Sequence, residues 1–141
     1  MDETLKREII MEHYQNPLNR HAIEDAGYIK VNTNNASCID NLDIYIKIDE
    51  DIIKDIAFTG EACAISISST SIMIENLIGK NITEAKNIID HFENMINEKD
   101  YNPEILKNAL VYDQIYKQNS RKNCAFLPYR GIREALDKYK K

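Results

Sequence analysis

The sequence is short of the residues that build linkers and covalent cross-links. It has four glycines, three prolines and no tryptophan in 141 residues, so a Gly/Pro/Ser-rich linker between two domains is excluded. Its three cysteines are an odd number, and a closed disulfide framework would leave one thiol unpaired. We therefore expect one reduced, intracellular domain that spans residues 1–141.

Long apolar runs and an excess of basic charge are also missing. No apolar stretch approaches the roughly 20 residues of a membrane span, and residues 1–4 are acidic where a signal peptide is basic. The formal net charge is −5, and the acidic residues are spread along the chain. The basic stripe typical of a nucleic-acid-binding protein is therefore absent. These observations predict a cytoplasmic protein that binds neither membranes nor nucleic acid.

The clearest strand pattern lies at residues 42–49. Apolar residues alternate there with polar or amphipathic ones, at Leu42, Ile44, Ile46 and Ile48. This period of two predicts a strand with one buried face. Residues 52–59 read as the next strand and form an antiparallel hairpin with it across Glu50 and Asp51. A weaker strand is predicted at residues 28–31, followed by a turn at residues 32–35, because asparagine tolerates left-handed backbone.

Helical periodicity predicts five helices. The first covers residues 2–14 and ends before Pro17, the second leaves Cys63 and ends at Gly79, and the third is capped by Thr83. The third helix has an apolar stripe that is expected to be core, formed by Ala85, Ile88, Ile89, Phe92 and Ile96. A short helix begins at Pro103. A closing helix covers residues 120–141, and Pro128 either kinks it or marks its effective start.

Cys63 lies where a strand runs into a helix. The free amides of a helix's first turn favour a thiolate, so Cys63 is a candidate reactive cysteine, although an inert buried cysteine fits the same apolar surroundings. Cys124 is expected near the N-terminal end of the closing helix, in a similar environment. Cys38 has Asp40 two residues after it, and both side chains can turn toward one point. Three thiolates and one carboxylate would complete a tetrahedral zinc site.

Other polar residues offer weaker alternatives. His13 and His21 have no cysteine or second histidine at local ligand spacing, so a packing or surface role is favoured for both. His91 is expected to face solvent. The serines after Cys63 read as small packing residues, because no local histidine could activate one as a nucleophile.

Four motifs together resemble the SufU-type members of the IscU/NifU-like iron-sulfur cluster assembly proteins. Residues 9–17, IIMEHYQNP, resemble the family's first helix and the loop after it. Residues 38–40, CID, resemble its Cys-Gly-Asp, and residues 60–66, GEACAIS, resemble its Gly-x-Gly-Cys-x-Ile-Ser. Residues 121–124, RKNC, and the insertion at about residues 100–119 are similar to the SufU branch, whereas the IscU branch has a histidine just before this cysteine. Two departures are Ile39 and Ala62, each in place of a glycine.

The resemblance implies an α+β fold, a small antiparallel β-sheet packed against helices. It implies a metal site formed by Cys38, Asp40, Cys63 and Cys124, with Zn²⁺ as cofactor and an iron-sulfur cluster as the alternative. It also implies a cysteine desulfurase of the SufS type and downstream iron-sulfur assembly proteins as partners.

The implied chemistry is sulfur transfer. A histidine of the desulfurase displaces Cys38 from zinc, and Cys38 then attacks the terminal sulfur of the desulfurase's persulfide. Arg121 offsets the negative charge of the ligands. The stiffer backbone at Ile39 is expected to slow ligand exchange.

Three functions remain open on the sequence alone. The first is a zinc-dependent sulfur acceptor, favoured because Asn123 stands where a histidine would precede the last cysteine. The second is a scaffold on which an iron-sulfur cluster is assembled. The third is a non-catalytic domain whose zinc only stabilises the fold.

Overall fold

A computed structural model describes residues 1–35 and 39–139, so Cys38 lies outside the described residues. The helices and strands follow in the order α1 (Glu3–Gln15), β1 (Ile29–Asn34), β2 (Asn41–Asp49), β3 (Ile52–Glu61), α2 (Ala64–Leu77), α3 (Ile82–Ile96), α4 (Pro103–Leu106) and α5 (Asn119–Tyr139). Two 3₁₀ segments, Lys107–Tyr112 and Ile115–Lys117, connect α4 to α5. The fold is α+β, as the resemblance implied.

The three described strands form one antiparallel sheet in the order β1-β2-β3. Ile44 in the central strand pairs with Val31 on one side and with Phe58 on the other. Glu50 and Asp51 connect β2 to β3 with φ angles of 52° and 63°, the backbone of a turn whose twist matches that of the flanking strands. The predicted hairpin is therefore confirmed.

Helix α5 packs closely on this sheet at Gly131. A Cβ atom at that position would lie 3.0 Å from Cδ1 of Ile44 and 3.2 Å from Cγ2 of Thr33. The missing side chain thus lets the helix backbone approach the strands. On another face of the core, the Phe92 and Tyr129 rings stack with their centroids 4.0 Å apart and join α3 to α5. The core lies between the sheet and the helices.

Two strand boundaries differ from the sequence prediction. Residues 32–34 were expected in a turn but belong to β1, because they pair with residues 41–43 of β2. Nδ2 of Asn32 also donates to the Oδ1 atoms of Asn41 (2.7 Å) and Asp43 (3.0 Å). Strand β3 also continues through Gly60 to Glu61. Gly60 has φ 127°, and a Cβ there would lie 2.2 Å from the Asn41 carbonyl oxygen, so only glycine fits this close approach.

Three details of the helices also differ. Asn81, and not Thr83, caps α3: its side chain accepts from the Glu84 N–H while the Glu84 side chain accepts from the Asn81 N–H. His91 is half-buried, and its Nδ1 accepts the Asn102 N–H at 2.9 Å. The Pro103 helix ends after one turn, because Lys107 adopts a φ of 49° and the chain continues as a 3₁₀ helix.

Hydrogen bonds hold α1 and the loop after it against α2. Oγ of Ser71 accepts the Leu18 N–H at 2.9 Å and contacts Nδ1 of His13 at 2.7 Å. His13 therefore has the packing role that its isolation in the sequence predicted. Among residues 1–35 and 39–139, no helix combines the length and the apolar character that crossing a membrane requires.

Candidate metal centre

Three segments distant in sequence bring one carboxylate and two thiols together. Asp40 immediately precedes β2, Cys63 is the N-cap residue of α2, and Cys124 lies in the second turn of α5. The ligand atoms of these side chains all lie within 4.8 Å of one another. The fold therefore brings together three of the four residues that the resemblance implied as metal ligands.

Asp40 is held by the first turn of α2. It is only 2% exposed, and its Oδ1 accepts the Cys63 N–H at 2.7 Å while its Oδ2 accepts the Ser66 hydroxyl at 2.8 Å. A negative charge at this end of a 14-residue helix is favoured by the helix dipole. Asp40 thus satisfies the N–H of the N-cap residue, and the Cys63 side chain makes no capping hydrogen bond.

Burial and crowding disfavour a second negative charge at this point. Cys124 is 5% exposed. Burial raises the pKa of its thiol well above the usual range, and hydrogen bonds to Asp40 and Cys63 raise that pKa further. A cation bound beside Cys124 would reverse these effects and favour its thiolate.

The donor set fits Zn²⁺. Zinc binds thiolates at about 2.3 Å and carboxylate oxygens at about 2.1 Å, so sulfur and oxygen ligands of a tetrahedron lie about 3.6 Å apart. Sγ of Cys63 lies 3.8 Å from Oδ2 of Asp40. Two sulfurs and one oxygen form three corners of a tetrahedral site. Such a site selects zinc over magnesium or calcium, because those two metals favour all-oxygen ligands.

Pro128 explains how α5 contributes to the site. A proline inside a helix cannot donate to the carbonyl four residues earlier, and in α5 that carbonyl belongs to Cys124. The Ser66 hydroxyl lies 3.1 Å from this oxygen and is placed to donate to it. Sequence reasoning treated the serines after Cys63 as packing residues and missed this contact. The spacing of Cys124 and Pro128 was the signal that could have revealed it.

The two remaining predicted site residues are not placed in the cluster. Cys38 lies outside the described residues. Arg121 lies in the first turn of α5 and is exposed. Across residues 1–35 and 39–139 its side chain has no hydrogen bond or ion pair, and its backbone N–H donates to the Gln118 carbonyl at 2.9 Å.

Comparison with known proteins identifies the family of this chain. The NifU-like N terminal domain family matches residues 5–141. The chain belongs to this family. It is 34% identical over 137 residues to the zinc-dependent sulfurtransferase SufU of Bacillus subtilis (strain 168), covering 96% of this chain and 92% of that protein. It is also 30% identical to the iron-sulfur cluster assembly scaffold protein IscU of Thermotoga maritima, covering 93% and 92%.

Solved structures of NifU-like domains share the fold. The crystal structure of FiSufU from Fervidobacterium islandicum AW-1 superposes with a TM-score of 0.87 at 32% sequence identity, covering 92% of this chain and 94% of that chain. An N-terminal NifU-like protein from Brucella abortus superposes with a TM-score of 0.85 at 16% identity, which supports the fold alone. The resemblance read from the sequence motifs is thus confirmed for both family and fold.

Proposed function

We propose that this NifU-like domain is a zinc-dependent sulfurtransferase that accepts sulfur from a cysteine desulfurase of the SufS type. The observation that carries this proposal is the convergence of Asp40, Cys63 and Cys124 within 4.8 Å. It is supported by the likeness to B. subtilis SufU, whose name describes a zinc-dependent sulfurtransferase.

Four residues of the chain are assigned to zinc. Asp40, Cys63 and Cys124 supply three ligands, and Cys38, two residues before Asp40, supplies the fourth. Bound zinc keeps its thiol ligands deprotonated near neutral pH. Asp40 and Cys63 are tied to each other by the 2.7 Å hydrogen bond between carboxylate and backbone. As the family resemblance implies, we assign the transfer step to Cys38.

The transfer step is a thiol exchange. The Cys38 thiolate attacks the terminal sulfur of the donor's cysteine persulfide, a new S–S bond forms on Cys38, and the donor's S–S bond breaks. The donor cysteine leaves as a thiolate, and the proton of the persulfide stays with the transferred sulfur. No oxidant or reductant is consumed. Downstream iron-sulfur assembly proteins then receive the sulfur.

The first prediction concerns metal content. Protein purified without added metal or chelator is expected to contain one zinc per chain, and chelation is expected to lower its melting temperature, since metal that binds only the folded state adds to stability. Elemental analysis and thermal unfolding measure the two effects. A zinc content near zero, or a melting temperature that chelation leaves unchanged, would contradict the assigned site.

Activity is tested with a cognate desulfurase. Zinc-loaded protein is expected to stimulate alanine production from cysteine and to acquire a persulfide, and zinc-depleted protein is expected to do neither. Bound zinc without stimulation would point to a domain in which zinc only stabilises the fold. Assembly of a stable cluster after anaerobic addition of iron and sulfide would favour a scaffold, the function named for the T. maritima relative. We favour sulfur transfer because Asn123 occupies the position before Cys124, where the scaffold branch of the family has a histidine.

The second prediction concerns Arg121. Its positive charge lies three residues before Cys124 and is not neutralised by an ion pair within the part of the chain that the structure describes. It is therefore available to offset three thiolates and one carboxylate around a dication. We expect Arg121→Ala to reduce desulfurase stimulation roughly tenfold or more, or about 1.4 kcal/mol in transition-state free energy.

The control for Arg121 is a charge removed from the far end of the same helix. Lys138 forms an exposed pair with Glu134 at 3.7 Å, so Lys138→Ala should leave stimulation unchanged. If both variants lost desulfurase stimulation equally at matched zinc content, the effect would be one of net charge, and Arg121 would have no role in the site.

A further inference from the structure

Ser66 lies where the three segments of the metal centre meet. It stands in the first turn of α2 and is 0% exposed. Its hydroxyl oxygen lies 2.8 Å from Oδ2 of Asp40, 3.1 Å from the Cys124 carbonyl oxygen and 3.6 Å from Sγ of Cys63. One side chain therefore touches the residue that precedes β2, the N-cap of α2 and the second turn of α5.

The Ser66 hydroxyl has one proton and faces two oxygen acceptors. The Cys124 carbonyl lacks its helical donor because of Pro128, and the Asp40 carboxylate is buried. A buried acceptor left without a donor costs about 1–3 kcal/mol. The hydroxyl thus couples the position of the Asp40 carboxylate to the backbone of Cys124.

The two oxygens of Asp40 have different roles. Oδ1 is fixed by the Cys63 N–H at 2.7 Å. Oδ2 lies 3.8 Å from Sγ of Cys63 and is the oxygen bonded to Ser66. Oδ2 is therefore both the oxygen that approaches the Cys63 thiol and the oxygen that Ser66 orients.

We propose that Ser66 is a positioning residue, which holds Oδ2 of Asp40 in ligand geometry. When Oδ2 moves, the Ser66 hydroxyl donates its hydrogen bond to the Cys124 carbonyl instead. The proposal rests on the metal site assigned under the proposed function. Because the hydroxyl can turn its proton from Oδ2 to the Cys124 carbonyl, Asp40 can shift without leaving Ser66 unpaired. Hydrogen-bond partners of metal ligands typically alter metal affinity about 10- to 100-fold.

Ser69 provides a matched control. It is also 0% exposed, lies on the same helix and donates to the Ala125 carbonyl oxygen of α5 at 2.6 Å, but within the described residues it makes no hydrogen bond to Asp40. Ser69→Ala removes a buried hydroxyl and a bond between α2 and α5. Ser66→Ala also removes a buried hydroxyl and a bond between α2 and α5, and in addition it removes the hydrogen bond to Asp40.

The third prediction compares these variants by two readouts that do not depend on sulfur transfer. Zinc affinity is measured by competition with a chelator, and the Co²⁺-substituted protein is examined by visible absorption. Ser66→Ala is expected to bind zinc about 10- to 100-fold more weakly and to show a shifted cobalt spectrum. Ser69→Ala and Ser66→Thr, which keeps the hydroxyl, should retain the wild-type spectrum and an affinity within about threefold of wild type.

The outcomes separate this proposal from the proposed function. Wild-type affinity and spectrum in Ser66→Ala overturn the role of Ser66, as does an equal loss in Ser69→Ala, which would be an effect of packing. If Ser66→Ala does not fold, Ser66→Thr decides: an unchanged cobalt spectrum supports the proposal, and a shifted one overturns it. Failure of the wild-type protein to bind either metal would instead overturn the metal site.

Discussion

Cys38→Ala is expected to reduce sulfur acceptance to background while leaving most of the fold intact. The reason is chemical: without the Cys38 thiolate, no nucleophile of the chain is free to attack the donor persulfide, because Cys63 and Cys124 remain bound within the cluster. The fold should survive, since the bonds that Asp40 makes to Cys63 and Ser66 do not involve Cys38. Mass spectrometry of the protein after incubation with a desulfurase and cysteine detects the acquired persulfide.

Cys63→Ala and Cys124→Ala serve as the comparison for Cys38. Each removes a thiol from the cluster that the structure shows within 4.8 Å, so each should lose zinc and the melting-temperature increase that zinc gives, in addition to activity. If Cys38→Ala still acquired sulfur and stimulated the desulfurase fully, Cys38 would not be the acceptor, and Cys63, the more exposed of the two described cysteines, would become the candidate.

Local patterns predicted the helices and strands because buried residues recur along the chain with the period of the helix or strand that they belong to. The alternation around Ile44 marks a strand with one face in the core, and the stripe through Phe92 marks a helix whose apolar side is covered. Both were confirmed, and the core residues of α3 that the stripe predicted are all buried. Such patterns depend on neighbours a few positions away, and the sequence contains all of that information.

Contacts between distant segments were harder to predict. Asn32 has the composition of a turn, yet a partner nine residues away, Asn41, holds it in a strand. Asparagine's local preference was overruled by cross-strand hydrogen bonds, whose existence depends on the register of the sheet. The same limit applied to Ser66, because its acceptors lie 26 and 58 positions away along the chain.

The residue types suggested a metal centre, but only the family resemblance linked its distant parts. The spacing of Cys38 and Asp40 suggested that their side chains turn toward one point. No local sequence pattern linked these two residues to Cys63 or Cys124. The structure supplies that connection for Asp40 through the N-terminus of α2. Within residues 1–35 and 39–139 it shows no hydrogen bond or ion pair between Arg121 and the cluster, so the role of Arg121 stays a prediction that depends on charge alone.

Asp40 has two roles that one substitution cannot separate. Asp40→Ala removes the carboxylate that we assign to zinc and also leaves the Cys63 N–H without the acceptor that it has in the folded protein. We expect desulfurase stimulation to fall roughly tenfold or more, or at least about 1.4 kcal/mol in transition-state free energy. We also expect a loss of about 1–3 kcal/mol in the free energy of unfolding of the metal-free protein.

Asp40→Asn separates the two roles. The asparagine oxygen can still accept the Cys63 N–H, and its NH₂ group can donate to the Ser66 hydroxyl, which then donates to the Cys124 carbonyl. The metal-free variant should therefore unfold at nearly the wild-type temperature, while stimulation falls as far as in Asp40→Ala because the carboxylate ligand is lost. Alanine and sulfide production by a cognate desulfurase at matched zinc content measures this. Full stimulation by Asp40→Asn, together with a stable cluster formed from iron and sulfide, would assign the protein to cluster scaffolding, since a scaffold can assemble its cluster on the three cysteines whereas controlled sulfur transfer requires the carboxylate.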